Sequence, residues 1–340
     1  MSVGDPARVV TPVVRLAPAK LNLTLAVVGR RPDGYHALHT VMAPLELTDR
    51  LTFTPDPSPG AADTLHVEGF DAGPPADNLV LRAIDATRRA ARASLGTAPP
   101  ALAVRLDKRI PVAAGLAGGS SDAAAAIDGA LEAWSAGDSL SDAERAEIAA
   151  RIGSDVPFFL AGGPALVEGR GERVTPLHGL KLGPGERQPG VLLVTPAIAA
   201  HTAAVFAAWG SGAMGQPGVA ARSSEHFASE FGSGLTAGQL LERAGVLAAA
   251  NDLLPAAATV VDGLVPFRRA LMRLLGRPIG LSGSGPTLWA LYPSLDDADL
   301  AATSVRAAVG TGFVTAPGDG APFVAATTFL THPDPERSDA

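Results

Sequence analysis

The chain has 340 residues, 47% of them apolar and 18% charged, a balance that suits a buried core and excludes a disordered, charge-rich chain. Its 27 Lys and Arg face 34 Asp and Glu, and the net charge of −7 excludes a broad basic surface for nucleic acid. Cysteine is absent, which removes disulfides, thiolate metal centres and a cysteine nucleophile together. The stretch Met1–Pro12 lacks the apolar core of a signal peptide, and no apolar run reaches the roughly 18 residues of a membrane span. A soluble, cytoplasmic protein without a membrane partner is expected, as a monomer or weak homodimer.

In chain order, strands are expected over Val9–Leu16, Leu21–Val28 and Val41–Phe53, with Asp33-Gly34 as a turn. Leu79–Ala93 reads as a helix capped by Asp77 or Asn78, and Ala101–Leu106 as a short strand. From Asp122 onward, Ala123, Ile127, Ala130, Leu131 and Trp134 recur along one helical face. Ser141 and Glu144 form a capping-box pattern for another helix, which Gly153 closes. Glu168–Glu172 reads as a hairpin turn, and the Gly/Pro-rich Leu182–Gly190 as the domain boundary, giving domains 9–181 and 190–330. A strand at Val191–Val194, a helix at Thr202–Trp209 and a polar loop at Gly210–Ser233 follow, then mixed elements to about Leu330. Thr331–Ala340 is expected to be a disordered tail. Strands and helices without regular alternation favour an α+β fold.

Four segments carry chemistry. Pro111–Ser121 (Pro-Val-Ala-Ala-Gly-Leu-Ala-Gly-Gly-Ser-Ser) runs straight into the helix from Asp122. Small residues admit close backbone approach, and a helix start offers free N–H groups and a positive dipole end, which suits phosphate. A plain Gly-rich connector with a Ser cap reads equally well, and the charge of Asp122 must point away from any bound phosphate. Lys20 is one of only three lysines beside 24 arginines and lies among apolar residues, either as a site ammonium or as an edge-strand lysine with its head in water. Asp155 precedes the apolar run Val156–Leu160, either as a perturbed carboxylate or as a turn residue. Leu281–Thr287 is a Gly-rich turn that also reads as a strand connector. The Gly210, Gly212, Gly215 string lacks flanking strand and helix and is read as a loop, and His36 with His39 lacks a third metal ligand.

Taken together, these segments resemble the GHMP kinase superfamily, with Pro111–Ser121 similar to its phosphate loop and Leu281–Thr287 to its C-terminal Gly-rich motif. Pro18–Leu23, Arg31–His36 and Ser154–Phe159 resemble the branch that phosphorylates 4-diphosphocytidyl-2-C-methyl-D-erythritol, the Asp-Gly-Tyr-His block being the most discriminating. The resemblance runs from about Val14 to about Ala290. It implies an N-terminal domain like domain 2 of ribosomal protein S5 and a ferredoxin-like C-terminal α/β domain. It further implies ATP as phosphoryl donor with Mg²⁺ carried by the nucleotide, and the 2-hydroxyl of that cytidine diphosphate-linked polyol as acceptor.

By resemblance, Asp155 takes the hydroxyl proton, and Lys20 sits beside it and neutralises charge on the transferring phosphoryl. Pro111, Gly115, Leu116, Ala117, Gly118, Gly119, Ser120 and Ser121 hold the nucleotide, with Asn78 and Lys108 near the adenosine and phosphates. Tyr35 and His36 take the cytosine, Asn22 the methylerythritol end, and Thr202 and Phe206 complete the pocket, Phe206 on the other face of the base. The rival readings are a superfamily kinase for homoserine or a mevalonate derivative, against which Tyr35-His36 stands, and a ligand-binding protein of the same fold, against which Lys20 with Asp155 stands. Many relatives carry Gly where Ala113, Ala114 and Ala117 stand, so a stiffer loop is expected here.

Overall fold

The computed structural model describes residues 11–211 and 219–330. Its strands are β1 (Val13–Asn22), β2 (Ala26–Arg30), β3 (His36–Asp56), β4 (Thr64–Gly69), β5 (Ala101–Lys108), β6 (Ala165–Gly169), β7 (Arg173–Pro176), β8 (Gly190–Thr195), β9 (Gly280–Leu281), β10 (Leu288–Tyr292) and β11 (Phe323–Thr328). Its helices are α1 (Leu79–Leu95), α2 (Gly118–Ala133), α3 (Asp142–Ile152), α4 (Val156–Leu160), α5 (Thr202–Ser211), α6 (Val219–Gly232), α7 (Ala237–Glu242), α8 (Ala244–Ala249), α9 (Leu254–Val260), α10 (Leu264–Leu275) and α11 (Leu295–Gly310). Largely antiparallel sheets with interspersed helices make this an α+β fold.

The chain forms two compact units, each assembled from separate stretches. The first holds Asp49–Arg109 and Gly119–Val156 with the described part of Met1–Ala17. In it β5 pairs antiparallel with the end of β3, Arg50–Asp56 opposite Asp107–Ala101, and parallel with β4. Leu102, Val104 and Leu106 alternate inward along β5, as a half-buried strand requires. The Asn78 side chain caps α1 by accepting the Val80 N–H at 3.0 Å, and Gly96 ends it in the left-handed region. The Ser141–Glu144 capping box forms at the start of α3 as the sequence predicts. Gly129 lets α2 lie directly on the Phe53 ring, where a Cβ would collide.

The second unit holds Pro18–Thr48, Ile110–Gly118 and Pro157–Ala340, described to residue 330. The first half of β3 pairs here with β2, and with β6 through Leu38–Met42 opposite Gly169–Ala165. A separate antiparallel sheet has the order β11-β8-β10-β9. Its central strands are buried on both faces. Leu192, Val194, Leu288 and Ala290 pack with Phe267 and Leu271, while Val191, Leu193, Trp289 and Leu291 pack with Phe227 and Phe231. That double burial explains the uninterrupted apolar run of β8, each large side chain contributing roughly 1.5–3 kcal/mol.

Several expectations change. Leu182–Gly190 does not separate the compact units; it lies inside the second, because β1 and β3 are long enough to run through both. Much of the expected loop 210–233 is the helix α6, whose buried Phe227, Ala228 and Phe231 form a face that the polar residues between them obscure in sequence. The helix expected from Asp122 starts four residues earlier, at Gly118. The glycines at 212 and 215 and the tail Thr331–Ala340 lie outside the described residues.

Candidate active site

In the second unit, β1 sends Ala19 and Leu21 into the core, and Lys20 and Asn22 are buried with them. A buried ammonium is costly unless its protons are used. Lys20 Nζ donates to the Gly115 carbonyl at 2.9 Å and to Asn22 Oδ1, while its backbone N–H donates to Leu116 O at 3.0 Å. Ser282 Oγ donates to the same Gly115 carbonyl at 2.9 Å, and Asn22 Nδ2 donates to Thr40 Oγ1 at 2.8 Å. Gly115 has φ +78°, and a Cβ there would strike the Ser282 carbonyl, so close passage and dihedral both demand glycine. Segments near residues 20, 115 and 282 thereby meet at one carbonyl oxygen.

The loop leads into α2, whose first turn presents the N–H groups of Gly118–Ser121. Ala113 and Ala117 adopt left-handed conformations, φ +53° and +54°, backbone strain placed within the loop.

In the first unit, Lys108 ends β5 with its ammonium buried between Asp49 and Asp122; the Asp122 Oδ2 contact is 2.7 Å, and Asp49 Oδ1 accepts the Arg109 N–H at 2.5 Å. Two carboxylates share one cation here. Burial pushes the Asp122 carboxyl up to about 7, Lys108 opposing and Asp49 adding to the rise. Lys108, expected near the phosphates, thus directs its charge to the carboxylates that anchor the end of β5 and the start of α2. Asn78 uses its side-chain oxygen as the α1 cap. Asp155 stands half-buried between α3 and α4.

The turn at Arg31–Tyr35, in the second unit, closes through Arg31 N–H to Tyr35 O at 2.7 Å and Tyr35 N–H to Asp33 Oδ1 at 3.1 Å. Tyr35 is 53% exposed and lies under the Arg170 guanidinium, while Arg31 pairs with Glu172 at 2.6 Å. The His36 ring stacks on Phe206, centroids 5.1 Å apart and planes 18° apart, with Trp209 edge-on at 5.3 Å. Thr202, one turn before Phe206 on α5, shares a hydrogen bond with Ser284 at 3.0 Å. A planar base between His36 and Phe206 needs about 7 Å, twice the carbon contact distance, so one ring must swing aside to admit it. Burial and then Arg30 hold the His36 pKa below its ordinary value.

Sequence reasoning missed Thr40, Asp49, Trp209 and Asn251 as neighbours of these residues, and placed Ser282 and Ser284 in a motif without a role. Asp49 and Thr40 sit within an ordinary strand pattern, and nothing local marks their partners.

Residues 78–163 match the family of GHMP kinases N terminal domains. A 4-diphosphocytidyl-2-C-methyl-D-erythritol kinase of Pelotomaculum thermopropionicum is 38% identical over 86% of this chain and 94% of its own length. One of Enterococcus faecalis is 35% identical over 82% of this chain and 89% of its own. A crystal structure of a 4-(cytidine 5'-diphospho)-2C-methyl-D-erythritol kinase superposes with a TM-score of 0.64 at 31% identity, covering 93% of this chain and 99% of that one. Mevalonate kinase from L. major, at 16% identity and a TM-score of 0.63, shares the fold. Similarity over nearly the whole length of named relatives, together with the GHMP domain match, places the chain in the 4-diphosphocytidyl-2-C-methyl-D-erythritol kinase family.

Proposed function

We propose that the protein transfers the γ-phosphoryl group of ATP to the 2-hydroxyl of 4-diphosphocytidyl-2-C-methyl-D-erythritol, a step in the non-mevalonate route to isoprenoid precursors. Within the fold, the observation that carries this reading is the approach of the Tyr35-His36 turn to Phe206, an aromatic set suited to a pyrimidine base. In the transfer the acceptor oxygen bonds to the γ-phosphorus, the bond to the ADP oxygen breaks, and the hydroxyl proton leaves to Asp155. Lys20 offsets negative charge on the transferring group, and the loop N–H groups from Gly115 to Ser121 cradle the nucleotide phosphates. Asn22 and Thr202 are assigned to the acceptor.

Mg²⁺ carried by the nucleotide would take most of its oxygens from phosphate and water. Among the described residues Ser121 Oγ and Asp122 Oδ1 are buried without a hydrogen-bond partner at the start of α2, and they would be the oxygens there to hold such an ion. When bound, the ion neutralises charge on the phosphates.

The test is ADP release and product mass with the cytidine diphosphate-linked polyol, homoserine and mevalonate offered separately. Phosphorylation of the first alone is expected. A higher kcat/KM for either of the others overturns the reading.

A further inference from the structure

Asn251 lies outside every motif that the sequence singles out, yet its side-chain amide is saturated. It follows α8 and is buried; Nδ2 donates to the carbonyls of Leu281 and Gly283, both at 2.9 Å, and Oδ1 accepts the Leu253 N–H at 2.9 Å. The backbone around it is tied down as well. Leu25 N–H donates to Ala250 O at 2.7 Å, Asp252 N–H donates to Leu25 O at 2.9 Å, and Asp252 Oδ2 accepts the Val27 N–H at 2.9 Å.

From this fixed post two hydrogens reach the Gly-rich turn at its most crowded point. Gly283 has φ +56°, and a Cβ there would stand 3.1 Å from Lys20 Nζ, 3.2 Å from Gly115 O and 3.3 Å from Asn22 Oδ1. The preceding residue, Ser282, donates to the Gly115 carbonyl that also takes the Lys20 ammonium. Few side chains could do this work. A primary amide offers two hydrogens on one nitrogen and an acceptor beside it, whereas a carboxylate would face two carbonyl oxygens with lone pairs.

We infer that Asn251 is a positioning residue for phosphoryl transfer, holding the Leu281 and Gly283 carbonyls so that the turn fixes the direction of the Lys20 ammonium. The inference rests on the reading of Lys20 as the ammonium that serves the transferring group. Displacement of a reacting group by about 1 Å can cost on the order of 100-fold in rate, so loss of the clamp acts on kcat before substrate affinity.

The experiment compares Asn251→Ala, Asn251→Asp and Asn251→Ser with wild type in steady-state kinetics, thermal melting and NMR of protein carrying ¹³Cε-lysine. Three lysines give three signals, which Lys20→Met and Lys181→Arg assign. In Asn251→Ala, kcat falls at least tenfold, both KM values stay within threefold, and the Lys20 signal moves while that of Lys181 does not. Asn251→Ser, which keeps one donor, lies between. A folded Asn251→Ala with kcat within twofold of wild type, or with a loss of activity and an unmoved Lys20 signal, overturns the inference. If the alanine and aspartate variants do not fold, Asn251→Ser decides by the same two readouts. Should wild type fail to phosphorylate the acceptor, the functional reading falls by itself, and the Lys20 signal still decides whether Asn251 orients that ammonium.

Discussion

Asp122 and Lys108 illustrate how a residue's role depends on a partner far along the chain. Beside a phosphate loop, a carboxylate opposes the anion that the helix start attracts; paired with Lys108, one of its oxygens is withdrawn into a buried ion cluster with Asp49. That cluster holds one positive and two negative charges, so burial raises the Asp122 carboxyl to about 7, well above its unfolded value. The folded state therefore keeps a proton that the unfolded chain releases. This contribution to stability is complete below the unfolded pKa, near 4, and is lost as pH rises through about 7. Asp122→Asn removes the titration, so its melting temperature should fall less than that of wild type between pH 5 and pH 8. Parallel pH profiles for the two proteins would contradict the assignment. At Asp155 the proposed role is removal of the acceptor proton, and Asp155→Asn should lower kcat by about 10²–10⁴-fold with little change in either KM, the range of a lost general base. Turnover within a few-fold of wild type would remove Asp155 from that role.

Along the loop and its helix, backbone geometry decides which substitutions are tolerated. Gly115 combines φ +78° with close passage beneath Ser282, so Gly115→Ala adds left-handed strain of roughly 1–2 kcal/mol and a collision besides. A lower melting temperature and reduced kcat are expected. Ala117 has a similar φ but carries a side chain, so Ala117→Gly should relieve strain and leave a net gain of about 0.5–1 kcal/mol after the entropy of the unfolded chain is counted. Differential scanning calorimetry of the two variants would show opposite shifts; a common direction would mean that the loop relaxes around either residue. Of the three alanines that make this loop look stiff in sequence, Ala113 and Ala117 are held in the left-handed region. Local helix signals were legible for the same reason that they are local: the Asn78 cap and the Ser141–Glu144 box depend on neighbours within four residues. The face of α6 was not, because Phe227 and Phe231 declare a face only once the core of the second unit closes over them.

For the molecule as a whole, an acidic chain is proposed to handle two polyanionic substrates. On that reading backbone N–H groups at α2 and a few placed cations would serve both, and the net charge of −7 says little about a site so local. Ligand binding should accordingly stabilise the folded protein. CDP alone at 100 times its Kd should add about 2.7 kcal/mol, read as an upward thermal shift that His36→Ala abolishes. A shift unchanged by that substitution would move the base elsewhere.

Residue identity, spacing and contacts a few positions apart made the family resemblance, the Gly-rich loop and Asp-Gly-Tyr-His motifs, the α+β character and the starts of α1, α3 and α5 legible in the sequence. Only the tertiary structure decided that Lys108 faces two aspartates, that His36 rests on Phe206, that Gly115 receives both Lys20 and Ser282, and that Asn251 clamps the Gly-rich turn. These pairings join residues 14 to 170 positions apart, or reach backbone carbonyls that every residue possesses. A partner of that kind leaves no mark in the sequence of either segment, and comes into reach only when the chain has packed.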